Sequence, residues 1–458
     1  MERRFERRRR QILEETHVRP AGVRERLNRR ERFAEPFVAS LRRRELKEHA
    51  QVYLSGLLSD LDRKNTESIA YRHDQDRQGL QRFIGWAEWD PGPRVDELVR
   101  QVSWELGEAE GVIIFDPSGH KKCGNDSVGV ARQWLGRWGK VDNGQVGVYM
   151  GYASRREHAL VDVRLYFPKE WAKDKVRRKK CGVPRAVRYR TRHELALEMR
   201  ETTGGNLPHA GIAGDDEMGR SSHFRRELRG RGERYLLAVP SNTGIRDLDA
   251  TAPSYGGRGR RPQVPFRRVD LGCRSRPAKA WRRIDVRDGE KGPLMMEIVT
   301  TRVRARTERS SRDPTDELLV VTRSREENGT MKYDDHLSNA PPDPSLEELA
   351  RVVKAAHRVE DAIKRAKSEA GLSDYEGRTW AGWHHHQILS LIAVWFLIRE
   401  TPRGKKIHPG PDGSTNSYLA GGSVASGLRP HVSWLGPTVH ETPEPPPGIG
   451  PVPSLQTA

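Results

Sequence analysis

Three runs of β-forming residues between 111 and 167 place the strongest constraint on the fold. Only four polar residues separate the last two runs, which predicts an antiparallel hairpin. Further along the chain, strand patterns alternate with helix patterns. The order strand, strand, strand, helix, strand, helix, strand predicts an α/β fold with a mixed sheet and flanking helices. The three runs are VIIF at 112–115, QVGVYMGYA at 145–153 and HALVDVRLYF at 158–167.

The clearest helix pattern in the chain lies at 344–371, where apolar residues recur every three or four positions. Ser345 and Glu348 have the spacing of a capping box at its start, and Gly371 is placed as its stop. The apolar stretch that follows, at 384–399, is too short to cross a membrane and has the composition of a buried core helix. We therefore expect no membrane association.

The charge of the chain points to a polyanionic partner. Its 458 residues are too many for one ordinary core, and they carry a formal net charge of +19. A protein this basic most often binds nucleic acid, although an arginine-rich, solvated surface is the alternative. Three cysteines with no paired spacing argue against disulfides or a zinc site and favour a reducing cytosol. The arginine-rich N-terminus lacks the apolar core of a signal peptide, so we expect a cytoplasmic protein.

Composition divides the chain into six segments. Blocks of Arg and Glu at the N-terminus and of Pro and Gly at the C-terminus are typical of disordered segments. A helical region in a basic chain is a candidate DNA-binding domain, and a helical cap on the next domain is the alternative. The predicted segments are a basic, disordered N-terminus (1–32), a helical, DNA-binding domain (33–107), the first part of the α/β domain (108–242), a β-rich insertion (243–340), the second part of the α/β domain (341–400) and a disordered tail (401–458).

Three acids share an unusual setting. Asp116 ends the first apolar run before a Pro-Ser-Gly turn, Asp215 ends a later one, and Glu360 lies at the edge of the apolar stripe of the long helix. A carboxylate beside a buried face is costly unless a cation meets it, and hard divalent cations prefer oxygen ligands. Taken singly, each acid has a structural explanation: a turn, a helix cap, or a surface pair with Lys364.

Five stretches around these acids resemble bacterial insertion-sequence transposases of the DDE class. The resemblance is to the branch in which a β-rich insertion interrupts a ribonuclease-H-like catalytic domain, and it extends from about 45 to 400. The stretches are FDPSGHKKCGNDSVGVARQWLGRWGKVDNGQVGVYMGYAS at 115–154, LVDVRLYFPKEWAKDKVRRKKCGVP at 160–184, GDDEMG at 214–219, YLLAVP at 235–240 and EDAIKRAKSEAGLSDYEGRTWAGWHHHQILSL at 360–391.

This resemblance implies a catalytic triad of Asp116, Asp215 and Glu360 that binds Mg²⁺, for which Mn²⁺ usually substitutes. It also implies double-stranded DNA as the partner, both as the terminal inverted repeats of the element and as target DNA. The enzyme would nick the element ends and join the freed 3′-OH ends to the target. Synapsis of two ends implies a homodimer on DNA.

Five further residues are candidates for DNA binding. Relatives carry a lysine at the position of Lys367 that contacts DNA near the element end. Lys121 and Lys122 follow Asp116 and would neutralise phosphates, or are ordinary loop lysines. Arg378 and Trp380 would contact a cleaved end, where the aromatic ring can stack on bases, or Trp380 anchors the last helix.

The long helix departs from the relatives at three positions. Val353 and Ala356 stand where relatives commonly have Tyr and Arg, and His357 stands where they tend to have Trp. Two alternatives to an active transposase follow. One is a catalytically decayed copy that still binds DNA, and the other is a ribonuclease-H-fold nuclease that never joins strands. The run His384–His386 does not predict a metal site, because consecutive helical residues diverge by about 100°.

Overall fold

A computed structural model describes residues 20–407, apart from 275, 290–291, 307–314, 327 and 342. The helices are α1 (Pro20–Val38), α2 (Arg44–Leu57), α3 (Thr66–Arg72), α4 (Arg77–Gly85), α5 (Gly92–Leu106), α6 (Lys169–Lys173), α7 (Lys175–Lys180), α8 (Arg192–Thr202), α9 (Asp216–Arg220), α10 (Ser222–Gly230), α11 (Val269–Cys273), α12 (Leu346–Glu369) and α13 (Trp380–Ile407). The strands are β1 (Val112–Lys121), β2 (Ala131–Leu135), β3 (Lys140–Ala153), β4 (His158–Leu165), β5 (Gly211–Gly214), β6 (Tyr235–Ala238), β7 (Gly244–Asp247), β8 (Arg267–Arg268), β9 (Arg282–Gly289), β10 (Gly292–Ala305), β11 (Asp316–Arg325) and β12 (Met331–Ser338).

All twelve strands join one mixed sheet, which confirms the predicted α/β class. Its hydrogen-bonded order is β2-β3-β1-β5-β6-β12-β11-β10-β7-β8, with β4 paired to β3 and β9 to β10. The predicted hairpin is present as β3 and β4, which pair antiparallel. β5 pairs parallel to β1 and β6 parallel to β5. The strands from β7 to β12 continue the same sheet, because β12 pairs with β6.

The first strand runs further than the sequence suggests. The prediction that it ends at Asp116 in a Pro-Ser-Gly turn is wrong, because β1 continues to Lys121 and pairs with β3 over its whole length. Its pairing with β5 stops at Phe115. Beyond that point β1 has a neighbour on one side only, and a strand paired on one side tolerates a proline because one set of its backbone groups is free.

The long helix α12 follows its prediction closely. The Ser345 hydroxyl accepts a hydrogen bond from the Glu348 amide at 3.2 Å, so the predicted N-cap is confirmed. The reciprocal half of the capping box is absent, because the Glu348 carboxylate pairs with Arg351 instead. The helix ends at Glu369, and Gly371 follows with a φ of +65°. That left-handed conformation favours glycine, as the stop signal predicts.

Gly371 also allows a close approach, from which a test of this helix end follows. A Cβ at this position would lie 2.7 Å from Cβ of Lys64. We expect Gly371→Ala to lower the free energy of unfolding by about 2 kcal/mol or more, through backbone strain and the clash together. Gly232 has a φ of +74° and open space around its Cα, so Gly232→Ala measures the strain alone. Equal losses in urea unfolding of the two variants would contradict the clash at Gly371.

The N-terminal helices pack on α13. The rings of Phe33 and Phe396 lie 5.1 Å apart, and the Arg29 guanidinium pairs with the buried Glu400 carboxylate at 2.8 Å. The prediction of disorder for 1–32 is wrong from Pro20 onward, because that part forms the first turns of α1. These contacts give its arginine-rich turns the packing that an isolated charged segment lacks. Residues 1–19 and 408–458 lie outside the described part, and with them most of the predicted tail.

In the described part of the chain, no helix has the length and apolarity that crossing a membrane requires. The most apolar helix, α13, is longer than the predicted 384–399 and is buried between the sheet and the N-terminal helices. Its Gln387 side chain accepts a hydrogen bond from the Tyr149 hydroxyl of β3. Thr379, which immediately precedes this helix, donates a hydrogen bond to the carbonyl of Gly85, the last residue of α4. This helix therefore joins the sheet to the N-terminal helices in one core.

Candidate active site

The parallel pairing of β1 with β5 brings two of the predicted acids together. Phe115 and Gly214 are the last partners in that pairing. Asp116 and Asp215 are the next residues of the two chains, so both leave the paired region at the same edge of the sheet. Asp215 also caps α9, because its carboxylate accepts a hydrogen bond from the Met218 amide at 3.1 Å. The cap predicted as its alternative role is present together with the acid pair.

Both carboxylates are desolvated. Burial, followed by the charge of Glu360, raises the pKa of Asp116 to about 7. Burial, followed by the charge of Asp116, raises the pKa of Asp215 well above its ordinary value. The Asp116 carboxylate makes no hydrogen bond or ion pair with any residue that the structure describes. Two half-buried acids that repel each other form a site of excess negative charge, which a cation would stabilise.

Helix α12 brings Glu360 to the same region from the face of the sheet. Val359 of this helix packs against Gly151 of β3, leaving no room there for a side chain. Gly151 pairs with Ile114, two residues before Asp116 on the same face of β1. Two turns beyond Glu360, the Lys367 ammonium donates to the Ser118 hydroxyl at 2.8 Å and to the Gly119 carbonyl at 3.2 Å. The helix is thus fixed along β1 beside Asp116.

A histidine holds Glu360 on the solvent side of this helix. The Glu360 side chain is 56% exposed, and its carboxylate lies 3.7 Å from Nδ1 of His357. Nε2 of the same ring lies 3.7 Å from the Asp334 carboxylate of β12. The carboxylates of Asp334 and then of Glu360 raise the pKa of His357 to about 9. The interaction with His357 is the main cause of the lowered pKa of Glu360. His357 therefore carries a positive charge at neutral pH.

The residues fit a divalent metal site only in part. Asp116 and Asp215 supply adjacent, half-buried carboxylate oxygens, which are the donors that Mg²⁺ and Mn²⁺ prefer. Within the described ranges, however, no three His, Cys, Asp or Glu side chains stand close enough together to hold an ion. The carboxylate of Glu360 is instead paired with His357.

A family model for the DDE superfamily endonucleases matches residues 36–293, which is more than half of the 458 residues. The chain belongs to the DDE superfamily of endonucleases. The matched range contains Asp116 and Asp215, and Glu360 lies beyond it. The resemblance to DDE transposases of insertion sequences that the motifs predict is thereby confirmed.

Two individual proteins are similar to this DDE endonuclease. One is a probable transposase for the insertion sequence element IS701 of Microchaete diplosiphon, which is 38% identical over 97 residues. That alignment covers 20% of this chain and a quarter of the relative. The other is the piggyBac transposase, in the structure of a synaptic complex with hairpin DNA. It aligns over 82% of this chain and 72% of its own, with 11% identity and a TM-score of 0.40.

The three predicted DNA-binding lysines lie in different settings in this endonuclease. Lys121 is half exposed, and its ammonium lies 3.3 Å from the Asp142 carboxylate and 5.8 Å from the Trp138 ring. Lys122 points inward and donates to the Tyr375 carbonyl, and burial lowers its pKa to about 8. Lys367 bonds to β1, as described above. Their roles in DNA binding stay predictions.

The last two predicted DNA contacts lie at the start of α13. Arg378 is 66% exposed and pairs with Asp126 at 3.3 Å. Trp380 is half buried, with its ring 5.9 Å from that of Phe167. In the same helix, His386 bonds the Tyr53 hydroxyl through Nδ1 and the Gly371 carbonyl through Nε2, and burial lowers its pKa to about 3. His386 is therefore part of the core.

The structure adds two ion pairs that sequence patterns did not single out. The first is His357 with Asp334, which comes from β12 and is not adjacent in sequence to any predicted acid. The second is Arg192 of α8 with Glu217 of α9, whose atoms lie 2.7 Å apart. Glu217 follows Asp215 by two residues, and its charge raises the pKa of both buried acids. A cluster of acids after β5 was visible in the sequence, but its cationic partner was not.

Proposed function

We propose that this protein is a DNA transposase. It cuts the ends of an insertion sequence and joins their 3′-OH ends to target DNA, with Asp116, Asp215 and Glu360 as its catalytic acids. The observation that carries this proposal is the register of β1 and β5, which sets Asp116 and Asp215 side by side in a strongly basic member of the DDE endonucleases.

The strand order supports a ribonuclease-H-like catalytic domain. Its first part reads β4-β3-β1-β5-β6, with three antiparallel strands followed by two that are parallel to β1. In such a sheet, the acids at the carboxyl edges of the central strands and a carboxylate from a late helix share one face. We propose that the strands from 243 to 340 are the insertion, that 341–400 complete the domain, and that the helices of 33–107 contact DNA.

We propose Mg²⁺ as the cofactor, with Mn²⁺ able to replace it. Asp116 and Asp215 would hold the ions, and Glu360 would join them after leaving His357. A pair of divalent ions, when bound, activates the attacking oxygen and stabilises the leaving oxygen of a phosphodiester. The two aspartates cannot both ionise cheaply without such charge, since the charge of Asp116 raises the pKa of Asp215. The protein's own contribution is to hold these half-buried acids adjacent before DNA arrives.

Lys367 and His357 would tune this site. Lys367 lowers the pKa of Asp116 through its charge while it fixes β1 to α12. His357 competes for Glu360. Its presence where relatives tend to have Trp does not by itself indicate a decayed copy, because a histidine can release the carboxylate when a stronger cation arrives.

DNA is the proposed partner, both as terminal inverted repeats and as target. The chain carries 82 lysine and arginine residues against 63 acids, which favours phosphate contacts. A homodimer on DNA would place two such sites at two element ends, and the proposed location is the cytoplasm, at the nucleoid. A DNA-binding protein without catalysis remains the second candidate, favoured by the exposed, paired position of Glu360.

The test begins with a search for inverted repeats in the genomic DNA that flanks the reading frame, and it uses them as the substrate. We expect purified full-length protein to nick a labelled duplex that carries one repeat, in Mg²⁺ but not in EDTA, and to join it to plasmid DNA. Binding without nicking would contradict the enzymatic proposal and favour the decayed copy. Nicking with no joined product would favour the nuclease without strand transfer.

Replacing His357 tests the competition for Glu360. An ion pair at this degree of exposure contributes roughly 0.5 to 1 kcal/mol. We therefore expect His357→Gln to lower the Mg²⁺ concentration for half-maximal nicking by about two- to fivefold. Arg365→Gln, which loses a pair with Glu369 on the same helix, serves as the control and should leave the Mg²⁺ requirement unchanged. A higher Mg²⁺ requirement in His357→Gln would show that the histidine supports the site.

A further inference from the structure

The connection between β4 and α8 contains the most basic segment of the described chain. Residues 175–192 include nine lysine and arginine residues and no aspartate or glutamate. This basic segment comprises α7 and the loop that leads into α8. Only three of its nine cations pair with carboxylates of the described residues: Lys180 with Asp126, Arg190 with Glu198 and Arg192 with Glu217.

The remaining charge faces solvent. Lys175, Lys179 and Arg185 are exposed, and no described residue pairs with their side chains. Arg188 is exposed as well and bonds only to backbone carbonyls of the segment itself. Like charges held together on one surface repel each other, which destabilises the fold slightly unless an anion binds there. The stability of the fold therefore does not explain why these exposed cations are clustered.

The basic segment reaches the candidate active site at its end and the loop after β1 near its beginning. At its end, Arg192 pairs with Glu217, two residues after Asp215, and also donates to the Gln133 side chain of β2 at 3.3 Å. Near its beginning, Arg177 donates to the Asn125 carbonyl in the loop that follows β1. The unpaired cations thus lie on a segment that contacts this loop near its start and ends beside Asp215.

We propose that the basic segment 175–192 binds the phosphate backbone of target DNA and leads it to the buried acids. This inference rests on the proposed function and names a contact surface for one of its two DNA partners. Lysine and arginine side chains without a base-reading element give contacts that are independent of sequence. Such contacts suit a target of any sequence, whereas element ends must be told apart from other DNA.

The test is a binding measurement that does not need cleavage. The triple variant Lys175→Gln, Lys179→Gln, Arg185→Gln removes three exposed, unpaired charges, so its fold should be intact. The matched control Arg282→Gln, Arg283→Gln, Arg325→Gln removes three exposed arginines from β9 and β11. Fluorescence anisotropy with a labelled 30-base-pair duplex of random sequence, at several salt concentrations and in EDTA, gives the affinity and its salt dependence.

We expect the triple variant to bind the random duplex about tenfold more weakly or worse at low salt. We also expect the slope of log K against log salt to become shallower by about 2 to 3, close to one unit per lost phosphate contact. Its affinity for a duplex with the terminal repeat should fall less. The control should match the wild type.

Three results would overturn the inference. The first is a salt dependence of binding that is unchanged in the triple variant, and the second is an equal loss of affinity in the control. The third is a loss of affinity for the repeat duplex alone, which would assign the segment to the element end. If the triple variant binds the random duplex as tightly as the wild type, the surface would be assigned to a protein partner instead of DNA. If the wild type fails to nick DNA but the triple variant still loses affinity, the proposed function is wrong and the DNA-binding surface stands.

Discussion

Asp116→Asn should stabilise the metal-free protein at pH 8 while it abolishes DNA cleavage. The pKa of Asp116 is raised to about 7 in the fold, against an ordinary value of 3.8. A raised pKa means that the folded state binds the proton more tightly than the unfolded state, so stability is lost as the pH rises from about 4 to about 7. At pH 8 the ionised carboxylate opposes folding by on the order of 2 kcal/mol or more, and asparagine cannot ionise.

Thermal unfolding in EDTA at pH 5 and at pH 8 measures this effect. The gain in midpoint temperature of Asp116→Asn over the wild type should be larger at pH 8 than at pH 5. Mn²⁺ should then raise the midpoint of the wild type but hardly that of the variant, because the ion binds only the folded site. Asp361→Asn is the matched control, since this acid is 74% exposed and pairs with Lys364. A loss of stability in Asp116→Asn at pH 8 would mean that its carboxylate is not destabilised in the fold.

Glu317→Ala should cause a large loss of stability. This carboxylate lies in β11 and accepts hydrogen bonds from Nε of Arg225 at 2.8 Å and from the Tyr235 hydroxyl at 2.6 Å. The side chains of Glu317 and Arg225 are both only 5% exposed. Removing one partner leaves the other charge buried without compensation, which costs about 3 to 5 kcal/mol. This ion pair joins the proposed insertion to the part of the sheet that contains α10 and β6, so we expect the whole sheet to unfold more readily in the variant.

The neighbouring acid provides the control for this prediction. Asp316 precedes Glu317 in the same strand and pairs with Arg304, but its side chain is 42% exposed. Asp316→Ala should therefore cost at most about 1 kcal/mol. The double variant Glu317→Leu, Arg225→Met should recover much of the stability that Glu317→Ala loses, since no charge is left buried. A urea unfolding midpoint of Glu317→Ala that equals that of Asp316→Ala would contradict this account.

Local patterns predicted much of the fold. The hairpin of β3 and β4 and the helix α12 lie where apolar periodicity and stop signals place them, because their periodicity matches the face that they bury. The two predictions that were wrong, the end of the first strand at Asp116 and disorder up to residue 32, failed because of contacts between distant elements. β1 passes through a Pro-Ser-Gly sequence because β3 supplies a partner along its whole length, and α1 forms from charged turns because α13 supplies a core.

The candidate site, too, was predictable from the sequence only in part. A strand-terminal acid is visible in sequence, and the register of β1 with β5 explains why two of them become neighbours. The position of Glu360 relative to them depends on His357 and Asp334, which belong to different elements. The pairing of Arg192 with Glu217 depends on the packing of α8 against α9. Such contacts between distant elements have no local pattern, so only the folded structure reveals them.

Cleavage by amide variants of the three acids tests the central claim most directly. Asp116→Asn, Asp215→Asn and Glu360→Gln keep the size of each side chain, and the asparagine at 215 can still cap α9. Each should reduce Mg²⁺-dependent nicking of a terminal-repeat duplex by about a thousandfold or more, while binding of that duplex survives. Glu369→Gln, on the same helix as Glu360, should nick normally. Normal nicking by any of the three amide variants, or its loss in Glu369→Gln, would contradict the assignment of these acids.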